Sequence, residues 1–369
     1  MSQLEKEVEV RNLQPGEEEK IVELLKLVFD GWPKFDLLCS PLEHWRWKYQ
    51  ANPLKMSQIT LGVSGSTIIG CNHSLFSRIK IGNRTFLSSQ GGDAAVRPEF
   101  MGRTIFRKMM DLKMKKGKES GAQMHYFLTW NPILRKSLPK FFHKFPHVVM
   151  NLFRIHDVDL HLRKRPIRYG FINKCGFYLL KLASRCRNTL RVYHSFPREF
   201  HIGEITHFDE RIESFWEEIK DHYNFIVERS GDYLNWRYCD PRGGDYLVKI
   251  AQMDGKILGY MVLRINSHQI DYPIGYIVDL LTLPNRFDVA SALVEEAVSY
   301  FDDHQINIIH SLIVKSHPYG AIFDKKGFII KRERIPLFYR GYSEVEEFKQ
   351  LESSPPSRIH FAYGDLDVI

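Results

Sequence analysis

The segment Leu87–Lys118 combines residue types that could hold an anion. A run of strand character ending at Val96 enters the turn Arg97-Pro98-Glu99-Phe100 and passes through Met101-Gly102-Arg103-Thr104 into a helical stretch. A strand, a tight turn and a helix start in this order aim several backbone N–H groups at one point, and the helix dipole adds about half a positive charge there. Gly102 permits close approach of the main chain, while Arg103, Arg107 and Lys108 add mobile positive charge. In outline this is a cradle for a diphosphate, with a plain strand–helix turn as the alternative. It is neither a Walker loop nor a GxGxxG dinucleotide turn.

Three titratable residues lie close by in sequence. Asp93, on the strand before the turn, is a candidate general base; its other reading is a buried carboxylate satisfied by backbone N–H groups. His73, in the preceding hairpin, and His125, at the start of the next strand, are further candidates, although a lone histidine is often structural. Other chemistries are quiet: no HExxH, GxSxG or EF-hand loop is present, and Cys39 has no legible histidine partner.

The elements that must position these groups occur twice. Trp47-Lys48-Tyr49-Gln50-Ala51-Asn52-Pro53 is echoed by Trp236-Arg237-Tyr238-Cys239-Asp240-Pro241. Each copy is followed by a predicted hairpin, Gln58–Gly62 with Thr67–Cys71 and Tyr246–Gln252 with Lys256–Leu263. Next come a strand ending in Asp93 or Asp279, a proline at Pro98 or Pro284, and a helix over Thr104–Lys118 or Val289–Asp302. A strand follows each helix, His125–Thr129 and Ile308–Val314, and runs into Asn131-Pro132 or His317-Pro318. The offset stays between 186 and 189 residues, too long for a solenoid period and right for two copies of one domain. Each copy opens with an amphipathic helix, Glu17–Phe29 and Asp209–His222. Trp47 and Trp236 read as domain-packing anchors rather than ligand platforms.

Composition sets the frame. The 369 residues suggest two to three domains at ~150 residues each, and 44% apolar residues with 13% aromatics describe a globular chain. Five dispersed cysteines without a CxxC argue against a disulfide framework or a structural zinc site. No apolar leader is visible in MSQLEKEVEVRNLQ, and no apolar run of ~18 residues occurs, so a cytoplasmic location is expected. The net charge of +8 is concentrated. Leu160–Arg198 holds ten bases and no acid, Arg103–Lys118 seven bases against Asp111, and the remainder is net acidic. Two local basic surfaces point to localised anionic partners; solvated charged faces are the alternative.

Val96-Arg97-Pro98-Glu99-Phe100-Met101-Gly102-Arg103-Thr104-Ile105-Phe106 resembles the acyl-CoA loop of the GNAT superfamily of N-acyltransferases, which usually reads Val-x-Pro-x-Tyr-Arg-Gly-Lys-Gly-Ile-Gly/Phe. The order of elements fits over Val8–Pro146 and, more faintly, over Ile202–Tyr339. The resemblance implies an α/β (α+β) fold of two GNAT-like domains, each a mixed, mostly antiparallel sheet flanked by helices. The boundaries expected are 1–155 for the acyl-CoA-binding domain, 156–200 for a basic helical connector, 201–342 for a degenerate second domain and 343–369 for a tail. It implies that Ala94, Ala95 and Val96 pair with pantetheine, that Met101, Gly102, Arg103, Thr104, Ile105 and Phe106 hold the CoA diphosphate, and that Asn131 matches the family asparagine after the next strand. Met101 and Thr104 depart from the pattern; Thr104 must take a near-helical angle and could cap the helix. The second loop, Leu283–Ala290, has no glycine, so CoA is expected only in the first half. The usual acidic Tyr is missing at Leu138, Phe141, Phe142 and at Phe323.

The implied function is acyl transfer, acetyl above all, from acetyl-CoA or another acyl-CoA to an amine on a small molecule, amino sugar or peptide. No metal is implied. The alternatives are an inactive tandem scaffold and an aminoacyl-transferring relative of the same fold. In the last case 160–198 would grip tRNA; the same segment could instead lie on an anionic membrane, placing the protein at the inner membrane face.

Overall fold

The computed structural model describes residues 8–102, 104–129, 135–136, 138–164, 198–268, 271–335, 337–342 and 346–366. Its elements fall into two sheets. The first contains β1 (Val8–Asn12), β2 (Ser57–Ser64), β3 (Thr67–Ile81), β4 (Arg84–Val96), β5 (Met124–Leu128) and β6 (His143–Lys144). The second contains β7 (Val149–Ile155), β8 (His201–Ile205), β10 (Leu247–Met253), β11 (Lys256–Asn266), β12 (Ile274–Thr282), β13 (Ile308–Val314) and β14 (Ile329–Ile335). The short β9 (Phe225–Val227) and β15 (Leu337–Gly341) join the first sheet, although they come from the second half of the sequence.

The strand orders are β1-β2-β3-β4-β5-β15-β6, with β9 on β3, and β14-β7-β13-β12-β11-β10-β8. Each half thus lends a strand to the other. β7, which precedes the connector and falls within the 1–155 boundary, lies between β13 and β14; β15 lies beside β5. Of the segment 343–369, expected as a separate tail, the described residues 346–366 are also built in, because Leu351, Ile359, Phe361, Tyr363 and Leu366 are buried in the shared core. In both sheets one pair is parallel, β4 with β5 and β12 with β13, and the rest are antiparallel.

The helices include the four that the sequence predicts within the two copies. In chain order they are α1 (Glu18–Phe29), α2 (Pro41–Tyr49), α3 (Ile105–Glu119), α4 (Val158–Lys164), α5 (Arg211–Lys220), α6 (Gly231–Leu234), α7 (Phe287–Asp303), α8 (Tyr319–Lys325) and α9 (Glu346–Ser353). α1 buries Ile21, Val22, Leu24 and Leu25, and α5 buries Ile212, Phe215, Trp216 and Ile219. α2 starts sharply: Ser40 and Glu43 form a reciprocal capping box and Pro41 occupies the first turn. Only α4, at the edge of the basic connector, is described between 156 and 164, and residues 165–197 lie outside the described residues.

Trp47 and Trp236 meet as anchors at the junction of the halves. Their rings stack 4.8 Å apart, and each indole N–H donates to the other's backbone carbonyl, at 3.1 and 3.2 Å. The reciprocity relates the halves by a local two-fold axis.

Candidate functional site

The strand–loop–helix junction is built from β4, the turn 97–104 and α3. Arg97 ties the turn to β3, its N–H donating to the Ile69 carbonyl at 2.8 Å and its Nε to the Ile68 carbonyl at 3.2 Å. Phe100 anchors it from below, packed with Ile69, Ile105 and Met109. Above this base the main chain turns outward. Gly102 has φ +77° and nothing within 4 Å of a Cβ placed on it, and Met101 is 60% exposed. Thr104 takes φ −72° and ψ 5°, the negative φ its side chain needs. It does not cap α3, contrary to one expectation: its side chain makes no cap hydrogen bond, and the first turn holds no acid. The start of α3 therefore meets solvent with its dipole uncompensated by a carboxylate. Arg103 and Asn131 lie outside the described residues.

β4 and β5 pair only over Ser88–Gln90 with Met124–Tyr126, then part at Gly91 and Phe127. Two β4 residues, Asp93 and Ala94, sit opposite the single β3 residue Asn72, because His73 pairs with Gly92 and Cys71 with Ala95. This bulge bends β4 away from β5. Ala95 and Val96 pair with β3 on one side, and Ala94 is exposed at the bulge. The cleft between the strands is thus edged by the predicted pantetheine-pairing residues.

Asp93 and His73 are placed together at the bulge but on the face away from α3, and both are spent. The Asp93 carboxylate accepts from Trp32 Nε1 at 2.7 Å, Lys48 Nζ at 2.7 Å and Tyr49 O–H at 2.5 Å. Burial works against its charge, but Lys48, His73 and these hydrogen bonds outweigh it and hold the carboxyl at about 2. His73 Nδ1 lies 2.8 Å from the Asp93 carbonyl, which can only accept, so Nδ1 carries the proton; Nε2 then accepts from Trp45 Nε1 at 3.1 Å. Burial pushes His73 down to about 4. Neither group is arranged to take a proton from a substrate. The partners of Asp93 are side chains, not the backbone N–H groups expected.

His125 differs. It lies on the α3 side of the sheet, fully buried, with Nδ1 2.8 Å from Ser89 Oγ and Nε2 without a hydrogen bond among the described residues. Burial, and next to it Lys113, keep its pKa well below the usual value.

The second half repeats the plan with a different filling. Asp279 accepts from Arg229 Nε at 3.0 Å, Tyr238 O–H at 3.0 Å and Tyr260 O–H at 2.9 Å, and His360 Nε2 lies 3.1 Å away. Tyr238 is the repeat partner of Tyr49, so each copy ties its Trp-base-Tyr motif to its strand aspartate. Burial opposes the Asp279 charge, and Arg229 above all holds its pKa well below the usual range. β12 leaves β13 after Ile277, but the space between them is a cavity of about 30 Å³, walled on one side by Ile359, His360, Phe361 and Ala362. That is room for a water or two, not an acyl chain. At the start of α7 the Arg286 guanidinium is paired with Asp288 at 2.7 Å, and the Asp288 carboxylate accepts from the Val289 N–H.

Sequence reading missed Lys48, Trp32 and Arg229 as partners of the aspartates, and it missed Tyr319. This phenol sits one turn before Phe323 on α8, with its O–H 2.8 Å from Thr282 Oγ1, and lines the same small cavity. The signal for Lys48 and Tyr49 was present in the repeated Trp-base-Tyr motif. Among the described residues no group of three or more His, Cys, Asp or Glu could hold a metal ion, and no helix is long and apolar enough to cross a membrane.

Two family models match, one described as Acetyltransferase (GNAT) domain over residues 9–133 and one as Acetyltransferase (GNAT) family over residues 208–322. The chain belongs to the GNAT family, as a tandem of two GNAT domains. No curated protein matches the sequence. Among solved structures, a probable N-acyltransferase from Enterococcus faecalis V583 aligns with TM-score 0.61 and 12% identity over 90% of this chain and 72% of its own. Saccharomyces cerevisiae N-myristoyltransferase with bound myristoyl-CoA gives TM-score 0.59 and 10% identity over 93% and 81%. A tandem GNAT protein from the clavulanic acid biosynthesis pathway gives 0.58 and 13% over 92% and 100%. At these identities the likeness is one of fold. The family is one of acyltransferases that use an acyl-CoA as co-substrate and an amine as acceptor.

Proposed function

We propose that the first half binds acyl-CoA and that the chain acylates an amine on a small molecule, amino sugar or peptide. The supporting observation is the open turn at Gly102 above a helix start that carries no acid. These residues fit a diphosphate: the turn leaves the space a second-row oxyanion needs, and the N–H groups of Ile105 and Phe106 belong to the first turn, where no intrahelical acceptor exists. Ala94, Ala95 and Val96 would line the pantetheine arm. Acyl-CoA supplies an activated thioester, so that attack by the amine nitrogen gives an amide and a free thiol, the amine proton ending on sulfur.

In this reading Asp93 and His73 are positioning residues. They lock the bulge that holds β4 away from β5, and so keep the cleft open. His125, with an unpartnered nitrogen at the tip of the cleft, is the candidate that meets the acyl donor. The inactive-scaffold reading draws support from the full hydrogen bonding of Asp93 and His73.

Thermal unfolding with and without acetyl-CoA tests the donor site. Ligand at 100 times its Kd adds about 2.7 kcal/mol, a rise in Tm of several degrees. Gly102→Val should abolish the rise, because a β-branched residue resists φ +77°. Asn285→Ala, in the second loop, should retain it. No rise at millimolar acetyl-CoA refutes the proposal.

A further inference from the structure

Four buried polar side chains lie under α3, and the scheme above uses only one of them, His125. Asn72 and Ser74 lie two residues apart on β3 and so share the face that α3 covers. Lys113 reaches down from α3, donating to Asn72 Oδ1 at 2.7 Å and to the His73 carbonyl at 3.3 Å. From β5, His125 comes across β4: its Nε2 stands 3.1 Å from where a Cβ on Gly91 would be, and Gly91 is the β3 partner of Ser74. All four side chains are at most 2% exposed.

This cluster is unfinished. Asn72 Nδ2, Ser74 Oγ and His125 Nε2 make no hydrogen bond among the described residues. Buried polar atoms are almost always satisfied, so three together ask for an occupant. Lys113 has no acidic partner among the described residues, and burial alone pushes its pKa down to about 7. The donors are in excess: two N–H on Asn72, one O–H on Ser74 and the third N–H of the Lys113 ammonium. His125 can join them, since Ser89 Oγ can donate to its Nδ1 and leave the proton on Nε2. What the cluster lacks is a strong acceptor, and a carboxylate would supply two oxygens and the missing negative charge.

Its place decides which carboxylate. The cluster straddles β4 at Gly91, where β4 and β5 part, and the main chain there is less covered: Gly91 and Gly92 are partly exposed while Ser88 and Ser89 are buried. Lys113 lies eight residues along α3 from Ile105, about 12 Å from the proposed diphosphate cradle, a span the pantetheine arm of CoA can bridge. An acyl group delivered to the tip of the cleft would end against these atoms.

We propose that Asn72, Ser74, Lys113 and His125 form a specificity site for the far carboxylate of a short dicarboxylic acyl group, of three or four carbons, carried on CoA. The inference rests on the acyl-CoA reading of the first half. An acetyl group brings no second carboxylate to the cluster's donors, and a butyryl group with the four carbons of succinyl brings none either.

Binding of CoA, acetyl-CoA, butyryl-CoA, malonyl-CoA and succinyl-CoA to the full chain, measured by calorimetry, tests this. Malonyl-CoA or succinyl-CoA should bind at least ten-fold more tightly than acetyl-CoA and butyryl-CoA. Lys113→Met should erase that preference while CoA itself binds as before; Ser74→Ala, a smaller change that spares the fold, should reduce it several-fold. Equal or tighter binding of acetyl-CoA or butyryl-CoA would overturn the proposal and leave the cluster as a site for buried water. So would a Lys113→Met or Ser74→Ala loss spread evenly over all five ligands. If CoA and every thioester fail to bind, the acyl-donor reading itself falls and takes this one with it; binding of CoA without a carboxylate preference removes this one alone.

Discussion

At residue 102 the chain turns on a glycine with nothing beside it, and α3 begins without an acid in its first turn. At residue 285 an asparagine makes a left-handed turn with φ +63°, and three residues on Asp288 folds its carboxylate over the start of α7 and pairs with Arg286. The two junctions share strand, turn and helix. They differ in who answers the helix dipole: at α7 the chain does, at α3 an external anion can. The clefts differ too, since the first is edged by exposed Ala94 while the second is lined by 359–362. Duplication has kept the architecture in both copies, and under the function proposed above only the first is receptive.

The anchors behind the two clefts can be set against each other. Arg229→Ala strips a fully buried guanidinium from both Asp279 and Asp365 and should cost about 3–5 kcal/mol in urea unfolding. Lys48→Ala leaves Asp93 with Trp32 and Tyr49 and should cost about 2 kcal/mol. Equal losses would mean that the halves are anchored alike.

Acid should separate the halves next. The Asp93 carboxyl, held at about 2, adds stability of about 2 kcal/mol that is fully present above pH ~4, its unfolded range, and is lost as the pH falls through about 2. Asp279 is held further down by its guanidinium. Hydrogen exchange between pH 4 and pH 2 should show amides of β3 and β4 losing protection before those of β11 and β12; simultaneous loss would break the comparison.

The smallest effect is the most pointed. Thr104→Asp gives α3 the carboxylate that α7 already has, and should add about 0.5–1 kcal/mol in the absence of ligand while weakening CoA binding. Asp288→Ala should cost α7 a similar amount. A Thr104→Asp chain that binds CoA undiminished would show that the start of α3 is not the anion site.

The duplication, the main elements of each copy and the bend at Gly102 were legible because each has a local signature: an offset held over four landmarks, apolar periodicity and a glycine in a strand-to-helix turn. Helix limits came within two residues, Thr104–Lys118 against Ile105–Glu119 and Asp209–His222 against Arg211–Lys220. The catalytic candidates were less legible, since the pairing of Asp93 with Trp32, Lys48 and Tyr49 joins residues 44 to 61 positions apart. Side-chain direction at the bulge was equally hidden, because one extra residue reverses the alternation of faces. Lys113 did leave a trace: α3 buries Ile105, Met109, Lys113 and Gly117, a stripe at four-residue spacing in which a lysine stands where an apolar residue belongs.

The exchange of β7 and β15 carries a consequence for anyone who would take the molecule apart. A gene cut between the copies would encode a first fragment whose β5 keeps β4 but has lost β15 and whose β7 dangles as an unpaired ribbon, and a second fragment with the mirror defect. Each piece would expose raw sheet edges that favour sticking to other chains. The two fragments produced together could rebuild the whole by trading ribbons, so complementation, rather than solo expression, is the way to dissect this protein.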